Sequence, residues 1–106
     1  MRRLFAVLAL LAATPALAQS PLDVLHVFYS ARAAIAHCGI PVEPAVMERI
    51  RADEAIVEAE LGWPREQLDD EFDLVTLVIE IEAPDCAITS TDLADVHRFV
   101  ASYRNR

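Results

Sequence analysis

The chain contains no lysine and only two glycines, Gly39 and Gly62. So few glycines leave no glycine-rich loop that could cradle a phosphate or a dinucleotide. Its two cysteines, Cys38 and Cys86, belong to no CxxC pair, so the usual redox and zinc motifs are absent. Long apolar runs are also missing. The longest, Leu4 to Ala13, would rise only about 15 Å as a helix, half of the ~30 Å hydrocarbon core, and stable membrane insertion is not expected.

That short run has another use. Arg2 and Arg3 precede it and Ala16-Leu17-Ala18 follows, the three parts of a secretory signal with cleavage near Ala18. No cysteine lies just beyond the cleavage point, so no lipoprotein attachment site is offered. The expectation is a cleavable signal peptide over 1–18 and a single periplasmic or secreted domain over 19–106. Removing Arg2 and Arg3 takes the formal charge from −8 to −10, with seventeen acids facing seven arginines. Nucleic acid, whose binding leans on cationic groups, does not fit that balance. A basic protein partner or a cation fits better, although acids also keep a small exported protein soluble.

In an oxidising compartment a lone pair of cysteines reads as one disulfide, Cys38–Cys86. Closing so long a loop is worth about 4 kcal/mol in the chain-entropy model, which matters for a chain this short.

Apolar periodicity divides the domain into four helices. Residues 21–38 carry Val24, Phe28, Ala31, Ile35 and Cys38 on one face, with Val27 and Ala34 alongside, and Gly39 and Pro41 end the helix. A second helix starts at Pro44 and runs to Leu61, with a stripe of Val46, Met47, Ile50, Val57 and Leu61. Asp53 and Glu54 interrupt this stripe; pairing with Arg49 and Arg51 on the same helix is expected to hold them at the edge of the core. Pro64 opens a third helix, with Glu66, Asp69 and Asp70 at its positive end and Leu68, Phe72, Val75 and Ile79 as its stripe. Its final stretch, residues 74–81, is rich in β-branched types and also alternates as a strand would; continuity with the preceding pattern favours helix. Thr89 and Asp92 suggest a capping box for a last helix with Leu93, Val96, Val100 and Tyr103 facing inward, and residues 104–106 are expected to fray. Together these predict an all-α fold, a small four-helix up-and-down bundle. In it Cys38 and Cys86 meet at one end.

No constellation for chemistry stands out, so no enzyme, cofactor or metal centre is expected. His37 follows the helix register away from the core, His26 is placed on the same outward side, and His97 lies about 10 Å along the last helix from the cysteine end, too far for a shared zinc site. The acids from Glu66 to Asp73 lack the alternating spacing and central glycine of a calcium loop.

What remains is surface. As a helix, residues 74–81 offer only Thr76 and Glu80 as polar positions, a wider apolar surface than a peripheral helix of a small bundle buries. The excess either packs centrally or meets another protein, with Leu74, Leu77, Val78 and Ile81 as the candidate interaction surface and pairing across a homodimer as one form of it. Two functions follow. One is a small exported binding protein acting as an acid-stress chaperone: acid carries the formal charge from −10 toward about +10, enough to loosen a small helical domain. In its export signal, mature size, helices and widely spaced cysteine pair the chain resembles, in outline, the HdeA type of acid-stress chaperone; no client-binding residue carries over. The other is an acidic accessory or inhibitor subunit whose face between Glu43 and Asp73 docks on one basic periplasmic partner.

Overall fold

A computed structural model describes residues 19–106; the stretch read as an export signal lies outside them. Four α-helices account for most of the described chain: α1 (Pro21–Cys38), α2 (Pro44–Leu61), α3 (Arg65–Glu82) and α4 (Ala94–Arg104). A short 3-10 turn, Thr91–Leu93, leads into α4, and there is no strand among the described residues. Residues 74–81 are helical throughout.

The helix ends follow local chemistry. Ser20 caps α1 in a reciprocal capping box with Asp23, and Pro21 takes the first-turn position where a missing N–H is harmless. Gly39 and Gly62 close α1 and α2 in the left-handed conformation that glycine tolerates best. Ala83 closes α3 in the same region at φ 49°, against its Cβ. The capping box expected from Thr89 and Asp92 does not form: Asp92 accepts the backbone N–H of Asp85, 2.9 Å away, and Ser90 donates its hydroxyl to the Asp85 carbonyl. Those two bonds fold the loop after α3 back on itself.

α1 is the hub, packing against α2, α3 and α4, and its contact with α3 is the most extensive in the fold. A helix packed on several sides buries more than one stripe. Thus Leu25 and Tyr29, outside the expected face, are 0% and 1% exposed, while Val27, placed beside that face, is 51% exposed. The centre joins Leu25, Phe28 and Tyr29 of α1 to Ile50 and Val57 of α2, Leu68 of α3, and Val100 and Tyr103 of α4. Two edge-to-face aromatic pairs stitch the layers, Phe28 with Phe99 at 5.4 Å and Tyr29 with Phe72 at 5.2 Å.

The cysteines are joined as Cys38–Cys86, tying the loop beyond α3 to the end of α1. α4 ends at Arg104, and the residues expected to fray make long-range contacts. Arg104 grips Glu43 with both nitrogens of its fork, and Arg106 lies 4.0 Å over the Tyr103 ring while reaching Asp53 at 3.0 Å.

Candidate functional site

Three arrangements concentrate the polar and uncovered apolar chemistry of the domain. The first is a carboxylate clamp inside it. Glu54 of α2 is 2% exposed and receives both Nε and Nη2 of Arg32 from α1, each at 2.9 Å, a bidentate geometry that suits a buried carboxylate. The Arg32 guanidinium also lies 4.2 Å from the centre of the Phe72 ring, so one side chain connects α1, α2 and α3. One helical turn on, Glu58 is buried; it accepts the Tyr29 hydroxyl at 2.5 Å and Arg65 at 2.8 Å. Burial alone would raise the Glu58 carboxyl, but the hydrogen bonds from Arg65 and Tyr29 outweigh it and hold the group below the usual carboxylate range. Burial and the same bond push the Tyr29 phenol up.

The expectation for α2 is corrected here. Arg51 does approach Glu54, at 3.7 Å, but Glu54 sits inside the core and not at its edge. Arg49 donates to the Tyr103 carbonyl instead of pairing with Asp53. Asp53 accepts the Tyr103 hydroxyl at 2.6 Å and Arg106 at 3.0 Å; these bonds lower its carboxyl, while burial followed by the Asp53 bond pushes Tyr103 up to about 12. The partners come from elsewhere in the fold because long-range packing brings full guanidinium and phenol donors closer than the same helix does.

The second arrangement is the outward side of α3. Leu74, Leu77, Val78 and Ile81, the residues read as an interaction surface, are exposed by 55, 49, 43 and 73%, and all lie on the side away from α1. Only Leu68 of this helix is fully buried. Around and before the aliphatic stripe stand Glu66, Asp69, Asp70, Asp73, Glu80 and Glu82; Arg65 is the sole cation of the helix.

The third is a furrow of about 600 Å³ on the other flank of α3, where α3 and α4 both rest on α1 but diverge from each other. Ser30, Ala31 and Ala34 form its floor, Ile79 and Glu82 one wall, and Val96 and Phe99 the other. Val27 stands at its lip. At one end lie Glu82, Asp92 and Asp95; at the other His26 meets Glu71 at 2.5 Å. His26 is therefore half-buried against α3, not on the free outward side, because α1 is covered on flanks that its stripe left open.

His97 is partly buried, with its Nε2 enclosed and no hydrogen-bond partner among the described residues. Among those residues no three of His, Cys, Asp and Glu converge as a metal-ion site, and no helix is long and apolar enough to cross a membrane. Sequence reasoning found the outward stripe but missed the clamp and the furrow. Glu54 and Glu58 lie four apart within the α2 stripe, and Arg32 interrupts an alanine-rich helix; those breaks in apolar register were the available signal. Neither a known protein family nor a characterised protein or solved structure matches this chain.

Proposed function

We propose that this chain is a small exported binding protein: residues 1–18 direct it to the periplasm or outside the cell, and the remaining up-and-down bundle engages another protein through the outward face of α3. The observation that carries this reading is the stripe Leu74, Leu77, Val78 and Ile81, uncovered in the folded domain and flanked by acids. Water-exposed aliphatic side chains in a contiguous stripe favour association, and the acidic border favours a basic partner. The role is that of an accessory or inhibitor subunit and not of an enzyme. Affinity capture at neutral pH with the oxidised domain tests it: a stoichiometric partner retained by the native chain and lost by Leu77→Asp/Ile81→Asp supports the reading, and equal retention by both overturns it.

A second reading, acid-triggered capture of many clients, is favoured by the bonded carboxylates of α2. Glu58 and Asp53 hold helices together as carboxylates, and acid removes that charge. Clients bound only after a shift to about pH 3, with none at neutral pH, would select this reading over the first.

A further inference from the structure

The furrow between α3 and α4 has a shape and a charge that together specify an occupant. Its floor is made of small side chains, Ser30, Ala31 and Ala34, so a guest backbone can approach α1 closely. From the lip at Val27 to Ala34 the furrow extends about 11 Å along α1, the length of two helical turns. The walls are apolar, but Glu82, Asp92 and Asp95 gather at the disulfide end, and no lysine or arginine lines the furrow among the described residues. Asp95 has Arg98 beside it and Asp92 holds the Asp85 backbone; Glu82 projects from the last turn of α3. A second copy of this chain would bring the same excess of acid to the contact, and an anionic lipid surface would be repelled for the same reason.

We propose that this furrow receives two turns of a basic amphipathic helix from the protein partner, with aliphatic side chains spaced i, i+3 or i+4, and i+7 between Ile79, Val96 and Phe99, and with arginine or lysine at the Glu82, Asp92 and Asp95 end. The proposal rests on the reading of the domain as a protein-binding module and names the chemistry of what it binds. α3 then serves as a ridge, its outward stripe covered by the body of the partner and its inner flank by the partner's helix.

The probe is a synthetic amphipathic leucine–lysine helix labelled for fluorescence anisotropy, with a leucine–glutamate helix of the same pattern as control, titrated against the oxidised domain. Binding of the lysine helix alone is expected, weakening as salt rises from about 50 to about 300 mM. Filling the furrow with Ser30→Trp is expected to weaken it roughly tenfold or more, and Val27→Trp at the exposed lip supplies the same blockage without touching the floor. Glu82→Gln/Asp95→Asn is expected to weaken it and flatten its salt dependence, whereas Asp69→Asn/Asp70→Asn, at positions that do not line the furrow, leaves it unchanged. Circular dichroism reports whether each variant is folded. No binding of the lysine helix, or binding indifferent to both tryptophan variants, overturns the proposal. Loss on Leu77→Asp/Ile81→Asp with none on the tryptophan variants does so too, while leaving the outward-face reading intact.

Discussion

α2 and α3 are neighbours in sequence, eighteen residues each, and both pack on α1, yet they distribute polar and apolar side chains in opposite ways. α2 buries two glutamates, Glu54 and Glu58, and leaves Ile56 60% exposed. α3 buries one leucine completely and turns four aliphatic residues to solvent. A buried carboxylate is tolerated where donors surround it, and Arg32, Tyr29 and Arg65 provide them. Exposed aliphatic residues have no such compensation within the domain. The contrast separates a helix that completes the internal structure from one that presents a surface.

The largest break in this comparison is expected from the disulfide. Replacing Cys38 and Cys86 by serine frees the loop beyond α3 from the end of α1 and should lower stability by about 4 kcal/mol, measured by urea unfolding. Next comes the clamp. Glu54→Ala leaves the largely enclosed Arg32 guanidinium without its carboxylate and is expected to cost about 3 kcal/mol in the same measurement; a loss as small as that of an exposed residue would show that the pair contributes little.

Acid sharpens the same point. The folded-state carboxyls of Glu58 and Asp53 are lowered, so their contribution is complete above the unfolded carboxylate range, about pH 4, and is lost as pH falls through the folded values. Stability should therefore drop below about pH 4, and Glu58→Gln should flatten that drop. Tyr29 and Tyr103 act at the other extreme. Their phenols are raised, so stability is unaffected by them below about pH 10 and declines above it.

A smaller effect of opposite sign is expected at the end of α3. Gly62 closes α2, but Ala83 closes α3 at positive φ, so Ala83→Gly should raise stability by about 1 kcal/mol in thermal unfolding. Smallest of all is Leu77→Asp/Ile81→Asp. On an exposed face each substitution should change stability by no more than about 0.5 kcal/mol, even as it removes partner capture. A large loss of stability would place those side chains in the core and end the contrast between the two helices.

Helix positions were legible in the sequence because they depend on local terms: Pro21 and Pro44 in first turns, Gly39 and Gly62 after last ones, and apolar steps of three and four between. Cys38 and Cys86 could be paired from their count and the expected export signal alone. The stripe Leu74, Leu77, Val78 and Ile81 was visible as an excess of apolar residues over what a peripheral helix can bury, though not whether that excess would pack centrally or stay uncovered. Asp53 and Glu54 were noticed as interruptions but given partners one turn away, since same-helix neighbours are the only contacts a sequence specifies directly.

Sequence by itself determined the four helices, the acidic excess and the cysteine pair, because turn residues, capping and periodicity act over a few positions. Tertiary structure alone decided that α1 would be surrounded, that Arg32, Tyr29 and Arg65 would supply hydrogen-bond donors to the buried glutamates, and that α3 and α4 would diverge to leave a furrow. These follow from the angles at which helices settle on one another, and those angles are set by all the contacting side chains together.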